Sequence, residues 1–175
     1  VNLSEIRLKL AKEQKIKYDL RSPEEVFLQL KNNNENIQPN FYYHPIFSNF
    51  KTYKKQKKRD KIIPFRGPIN SKSISCTEDF KHRTIINDKY GFRNSNLIYE
   101  KPIQNVILGD SYAEGFCVGQ NEDISGNLNL MGYPTANFAV GTTSPLVSLA
   151  VLREFGEILK PKNFIYFYFE GNDLE

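Results

Sequence analysis

The stretch that decides the fold is NVILGDSYAEG, residues 105–115. Its apolar part, VIL, is followed at once by GDS, which ends at Ser111. A short apolar run closed by turn residues is typical of a buried strand in a parallel sheet, and open sheets of this kind bind ligands at the carboxyl ends of their strands. A helix that begins at this serine would direct its unpaired N–H groups and positive dipole end towards the side chain. The stretch therefore predicts a nucleophilic Ser111 at a strand-to-helix turn.

Strands and helices alternate over the rest of the C-terminal part of the chain. The pattern predicts strands at residues 103–108, 135–140 and 163–169, and helices at residues 123–131 and from Pro145 up to Pro161. The third strand, NFIYFYF, shows no polar alternation, which predicts burial on both of its faces. Alternation of this kind implies right-handed crossovers and a parallel sheet. In the common strand order 2-1-3, the first strand lies in the centre.

Each predicted strand ends in a turn of small residues. The three turns are GDS with Ser111, GTT with Gly141, and GND with Asn172. Since the carboxyl ends of parallel strands meet at one edge of the sheet, we expect these three residues to lie together. A hydroxyl nucleophile beside a backbone N–H and a side-chain amide matches an oxyanion hole, in which hydrogen-bond donors face the oxygen that becomes anionic.

The charge of the chain is divided unevenly. Residues 1–102 carry 21 Lys and Arg against 11 Asp and Glu, a net +10, whereas residues 103–175 carry 3 against 9, a net −6. Such a split is typical of two regions with different surfaces. We therefore expect a domain at residues 103–175 behind a basic N-terminal extension, residues 1–102.

The extension is predicted to be irregular. We expect two short helices, of which the second begins with a capping box between Ser22 and Glu25. The remainder is predicted to form, in order, an aromatic arm (38–50), a basic loop (51–61), a further loop (62–75), a strand (84–87) and a turn with Gly91 at its left-handed position. Basic residues interleaved with Phe50 and Tyr53 would suit nucleic acid or an anionic membrane surface, but the basic loop lacks a nucleic-acid fold motif and an amphipathic period. We therefore interpret it as a solvated loop and expect no nucleic-acid partner.

Several classes of protein are disfavoured. No apolar run reaches the length of a membrane span, and no signal peptide is visible. Cys76 and Cys117 show neither CxxC spacing nor a disulfide-rich framework. We therefore interpret Cys117 as a small buried side chain, and the cellular compartment stays open on this evidence. GDSYAEG lacks the pattern of dinucleotide and P-loop sites, and Ala113 stands where the G-x-S-x-G elbow needs glycine. Metal-ligating residues lack useful spacing, so no metal site is predicted.

GDSYAEG, the Gly141 turn and GND together resemble the first three sequence blocks of the SGNH (GDSL-type) hydrolases. The resemblance covers residues 103–175, and each block follows a predicted strand. FYFEGNDLE and the segment that begins AVGTTSPLV are also similar to bacterial members encoded near polysaccharide genes, and residues 18–88 resemble the N-terminal extension of those members. The resemblance implies an α/β fold with a flavodoxin-like doubly wound parallel sheet. It would be truncated after three strands and preceded by the irregular extension.

The resemblance also implies a function. The protein would be a serine-dependent ester hydrolase or acyl transferase that acts on a carbohydrate O-acetyl or other acyl ester, in a glycan or a small molecule. Ser111 would form an acyl-enzyme, while its own N–H, the Gly141 N–H and the Asn172 side chain would hold the oxyanion. No cofactor is expected. Similar proteins often carry an N-terminal signal or anchor, which implies a location outside the cytoplasm or close to a membrane.

One part of the family pattern is missing. The general base of the family is a histidine in a D-x-x-H block downstream of GND, whereas His44 and His82 both precede Ser111. A serine hydroxyl is a weak nucleophile without an adjacent base. We therefore expect this chain to be an inactive fragment of a hydrolase, with His82 in a surface loop and His44 in packing. The alternative is a non-catalytic module on the same fold that binds a glycan or a protein partner.

Overall fold

The structure, a computed structural model, describes residues 3–39, 66–76 and 80–171. These residues form a mixed α/β structure, with helices α1 (Leu3–Glu13), α2 (Pro23–Asn32), α3 (Ser111–Glu114), α4 (Ile124–Leu130) and α5 (Pro145–Leu159), strands β1 (Ser71–Cys76), β2 (Arg83–Asn87), β3 (Asn105–Leu108), β4 (Thr135–Asn137) and β5 (Asn163–Tyr166), and a 3₁₀ helix (Asn96–Glu100). None of the helices in these three ranges is long and apolar enough to cross a membrane.

The three strands of the C-terminal part form a parallel sheet in the order β4-β3-β5. The prediction of a central first strand is therefore confirmed. Every residue of β3 is buried, because the strand has a neighbour on each side and a helix against each face. Val106 and Leu108 pack with Phe155 of α5 on one face, and Ile107 packs with Ala113 of α3 on the other.

The prediction that the third strand is buried on both faces is wrong. β5 lies at an edge of the sheet, where its hydrogen-bonded neighbour is β3. The side chains of Phe164 and Tyr166 are 42% and 40% exposed. An apolar composition predicts a strand, but it does not distinguish a central strand from an edge strand, because that depends on how many neighbours the strand acquires.

The N-terminal region contains the two predicted helices and the predicted strand at 84–87, which is β2. The pairing of β2 with β1 in a hairpin was not predicted. The capping box of α2 is confirmed, since the Glu25 N–H donates to Ser22 Oγ (3.1 Å) and the Ser22 N–H to Glu25 Oε2 (2.6 Å). The predicted loop at 62–75 is wrong from Ser71 onwards, because β1 pairs antiparallel with β2. β1 has the polar sequence SKSISC, and partner hydrogen bonds rather than apolar alternation make it a strand. The basic loop and residues 40–50 of the aromatic arm lie outside the described residues.

The turn that follows β2 contributes to the core of the parallel sheet. Gly91 has a φ of +86°, which confirms its predicted left-handed position. The turn directs Phe92 against Phe138, with ring centroids 4.2 Å apart, and against Phe155, with centroids 5.3 Å apart. Residues on both sides of position 102 therefore share one apolar cluster. The division into an extension and a domain stays a prediction.

The interpretation of the two cysteines is wrong. Cys76 at the end of β1 and Cys117 in the loop after α3 form a disulfide, with Cα atoms 5.3 Å apart. They are 41 residues apart in the sequence, and nothing in their spacing shows that the hairpin and this loop meet. The disulfide attaches the hairpin covalently to the loop that follows Ser111.

Removal of this disulfide is expected to destabilise the protein. Replacing both Cys76 and Cys117 by Ser should lower the free energy of unfolding by up to about 4 kcal/mol, because closing a loop of this length restricts the unfolded chain. Urea unfolding with and without a reductant measures the effect. The reductant should destabilise the wild type and leave the double variant unchanged. Two freely titrating thiols in the folded wild type would contradict the assignment.

Candidate active site

Ser111 lies at the start of α3, directly after the turn that ends β3. Asp110 caps this helix, since the Tyr112 N–H donates to Asp110 Oδ1 at 2.9 Å. The predicted strand-to-helix turn is therefore confirmed. The helix has four residues, so it has little of the macrodipole that a longer helix would carry. Neither the N–H nor the hydroxyl of Ser111 has a hydrogen-bond partner among the described residues, so both are available to a ligand.

Gly109 is the point where the ends of the three strands meet. Its φ is +145°, and a Cβ atom there would lie 2.8 Å from Ala113 Cβ and 2.9 Å from the Phe167 carbonyl oxygen. A side chain at this position would therefore clash with the helix and with the chain after β5. The Val140 N–H donates to the Gly109 carbonyl oxygen at 3.1 Å, so the chain after β4 lies there too. Of the three turns expected to meet at one edge of the sheet, those of Ser111 and Gly141 lie together, whereas Asn172 lies outside the described residues.

Gly141 lies beside Ser111, as predicted. A Cβ atom at Gly141 would be 3.4 Å from Ser111 Cβ and 2.7 Å from Glu114 Oε2. The predicted oxyanion donor already has a partner, because the Gly141 N–H donates to Glu114 Oε2 at 2.9 Å. The sequence analysis missed Glu114. The available signal was its position three residues after Ser111 in a helix, which places both residues on one face.

The other predicted groups are not brought to the site by the described residues. Asn172 lies outside them, and so does His44. His82 is half-buried next to Arg21, and its Nε2 lies 2.7 Å from the Arg21 carbonyl oxygen. Since a carbonyl can only accept, Nε2 carries the proton in this contact. His82 is therefore engaged with the N-terminal region.

The side chain of Asn137, at the end of β4, joins the Ser111 helix to the sheet. This residue is fully buried. Its Nδ2 donates to the Ala113 carbonyl oxygen and to Asp123 Oδ2, both at 2.9 Å, and its Oδ1 accepts the Ala139 N–H at 3.0 Å. Asp123 also caps α4, through the Gly126 N–H. One amide therefore fixes α3, the start of α4 and the chain that leads to Gly141.

Asn94 connects Asn137 to the segment before the parallel sheet. Its Oδ1 accepts the Asn137 N–H at 2.7 Å, and its Nδ2 donates at 2.8 Å to the Asn137 carbonyl oxygen and to Asp88 Oδ2. Asp88 is fully buried and also accepts the hydroxyl of Tyr99 and the N–H of Phe92. Burial beside the Asp88 carboxylate raises the pKa of Tyr99 well above its usual value. Buried polar groups that satisfy one another in this way specify a single arrangement.

Arg93 holds the loop that follows α3. It is buried, and its guanidinium donates to the carbonyl oxygens of Gly115, Val118 (2.9 Å) and Gly119 (2.6 Å). The Cys117 disulfide attaches the same loop to β1. Arg93 Nε is buried, and none of the described residues pairs with it. Residues from before position 102 therefore shape the surroundings of Ser111 by hydrogen bonds and by a covalent bond.

A small cavity of about 20 Å³ lies behind the Gly141 turn. Its lining includes Glu114, Gly141 and Arg93, together with Gly67 and Asn87 from the N-terminal region. The volume is sufficient for about one water molecule. The pKa of Glu114 is raised to about 7, chiefly by burial and also by the nearby Asp110, although the Gly141 N–H and Arg93 lower it.

Neither a family model, nor a curated protein, nor a solved structure matches the chain. Among the described residues, no group of three or more His, Cys, Asp and Glu side chains is placed to hold a metal ion. The arrangement is a half-buried serine with an unoccupied N–H, next to a glycine N–H that a carboxylate engages.

Removal of the Asn137 amide is expected to loosen this arrangement. Asn137→Ala should lower the free energy of unfolding by about 2–4 kcal/mol, because it removes the amide that donates to the buried Asp123 carboxylate and to the Ala113 carbonyl oxygen. Asn127→Ala is a matched control, since Asn127 is exposed and donates to the Glu122 and Asp123 carbonyl oxygens. Its cost should stay within about 0.5 kcal/mol. Chemical unfolding measures both, and equal losses would contradict the assigned role of Asn137.

Proposed function

We propose that the full-length protein is a serine-dependent ester hydrolase of the SGNH type, with Ser111 as its nucleophile. The observation that carries the proposal is the juxtaposition of Ser111 with the Gly141 turn at the carboxyl edge of the parallel sheet. The strand order, with the Ser111 strand in the centre, suits a flavodoxin-like doubly wound sheet. Helices on both faces of β3 support the same fold.

The proposed reaction proceeds through an acyl-enzyme. Ser111 Oγ attacks the carbonyl carbon of the ester while its proton passes to a general base. The carbonyl oxygen becomes anionic and accepts the N–H groups of Ser111 and Gly141 and the amide of Asn172. The C–O bond to the alcohol then breaks, and the base returns the proton to the leaving oxygen. Water attacks the acyl-enzyme by the same route and releases the acid.

The general base is proposed to come from outside residues 1–175, as a histidine of a D-x-x-H block. The contact of His82 with Arg21 and the family resemblance support this proposal. The same resemblance favours a carbohydrate O-acetyl ester or another acyl ester as the substrate, and a location outside the cytoplasm. The Cys76–Cys117 disulfide supports that location, because disulfides persist in oxidising compartments.

A second candidate function is a non-catalytic module that binds a glycan or a protein partner. A groove of about 610 Å³ between the 3₁₀ helix and α4 favours it. Leu97 and Leu130 on its two sides are 68% and 82% exposed, and the exposed side chains of Glu100 and Lys101 supply charged groups. This candidate requires no chemistry at Ser111.

Labelling with a fluorophosphonate probe tests the proposed function in the full-length protein. The probe should phosphonylate the wild type, and Ser111→Ala should abolish labelling, since the probe forms a covalent bond with an activated serine oxygen. Ser144→Ala is a matched control, because Ser144 is an exposed serine in another strand-end loop and makes no side-chain capping bond. This control should label like the wild type.

Two outcomes would contradict the assignment. Labelling that persists in the Ser111→Ala variant would show that another residue reacts with the probe. A wild type that does not label, but that binds glycans equally well with and without the Ser111 hydroxyl, would favour the binding module.

A further inference from the structure

Two hydrogen-bond acceptors compete for the Gly141 N–H in the proposed enzyme. In the structure it donates to Glu114 Oε2 at 2.9 Å, whereas the proposed reaction needs it for the substrate oxyanion. One N–H cannot donate fully to both acceptors. The Glu114 carboxylate is itself an anion, so it resembles the charged oxygen that the reaction would place on this donor.

Glu114 lies close to both the Gly141 N–H and Ser111. Ser111 and Glu114 are the first and last residues of α3. The position that a Cβ atom would take at Gly141 lies 2.7 Å from Glu114 Oε2 and 3.4 Å from Ser111 Cβ. The carboxylate, the donor and the nucleophile therefore lie around one point, and a substrate carbonyl bound at Ser111 would meet Glu114 there.

The structure also contains an alternative partner for the carboxylate. Arg93 Nε is buried and has no hydrogen-bond partner among the residues that the structure describes, and the exposure of Arg93 is 4%. Arg93 and Glu114 line the same cavity of about 20 Å³ behind the Gly141 turn. A buried charged donor without a partner costs free energy, so a turn of the Glu114 side chain towards Arg93 would satisfy it.

We propose that Glu114 is a positioning residue that withholds the Gly141 N–H from the substrate until its carboxylate turns into the cavity towards Arg93. The proposal rests on the proposed function, because it concerns the oxyanion donor of that reaction. No atom is transferred in this step, since one hydrogen bond replaces another. Glu114 acts through Gly141, not on the ester.

The charged groups around Glu114 determine when it holds the donor. Arg93 faces it from the segment before the parallel sheet, and Asp110 faces it from the cap of α3. Arg93 is in turn close to Asp123 and Glu122. Burial raises the pKa of Glu114 to about 7, so the carboxyl is neutral and holds the N–H weakly below that pH. It is ionised and holds the N–H firmly above it.

The rate of fluorophosphonate labelling of the full-length protein tests this proposal at pH 6 and pH 8. Glu114→Ala should label about tenfold faster than the wild type at pH 8, because a hydrogen bond to a charged acceptor no longer has to be given up. The ratio should shrink towards one at pH 6. Because each ratio compares two proteins at one pH, the titration of the general base cancels.

Two further variants separate the positioning role from a loss of structure. Glu114→Gln keeps the shape and a neutral acceptor, so its ratio to the wild type should also exceed one at pH 8 and fall at pH 6. Glu157→Gln is a control for the loss of one carboxylate charge, since Glu157 is exposed on α5 and is not among the charged groups around Glu114 and Arg93. It should label like the wild type at both pH values.

The failure of this inference differs from the failure of the proposed function. A labelled wild type with variants that react equally fast or more slowly at both pH values would overturn the inference and leave the hydrolase proposal intact. No labelling of the wild type and of Glu114→Ala would overturn both. An NMR titration of the Gly141 amide gives a readout without chemistry. Its shift should change with a midpoint near pH 7 in the wild type and stay constant in Glu114→Gln, and a constant shift in the wild type would also overturn the inference.

Discussion

The buried side chain of Asn137 is the constraint on which the site depends. A primary amide has two donors and one strong acceptor, and all of them are used between α3, Asp123 and the Ala139 N–H. The backbone of the same residue is paired with Asn94. Because none of these groups can reach water, moving one of them would leave others without partners. The orientation of α3 relative to β4, and with it the distance from Ser111 to Gly141, follows from this joint.

The segment before the parallel sheet contributes to the site in three physically different ways. Phe92 packs its ring into the core beneath the sheet, and Asn94 hydrogen-bonds to the backbone of Asn137. The Arg93 guanidinium donates to carbonyl oxygens of the loop after α3. The disulfide to Cys117 adds a covalent restraint on that loop. The turn with Phe92, Arg93 and Asn94 therefore positions Ser111 as much as β3 does, although β3 directly precedes Ser111 and the turn does not.

The sequence predicts those features of the fold that depend on neighbouring residues. The apolar run of β3, the Ser22 capping box and the turns after the strands depend on neighbouring residues, and the structure contains them. The edge position of β5, the disulfide and the contact between Glu114 and Gly141 arise only when distant segments meet. The spacing of residues along the sequence does not show which distant segments come into contact. The composition of NFIYFYF does not show that β5 pairs with β3 alone among the described strands. The sequence around Cys76 likewise does not show that Cys117 lies beside it.

The proposed reaction requires Ser111 and the Gly141 N–H to act on one substrate oxygen. A crystal structure of the full-length protein with a phosphonyl group on Ser111 tests it most directly, because the phosphoryl oxygen stands for the oxyanion. That oxygen should lie about 2.7–3.1 Å from the Gly141 nitrogen, and the Glu114 carboxylate should be turned towards Arg93. A phosphoryl oxygen directed elsewhere, with the Gly141 N–H still donating to Glu114, would contradict it.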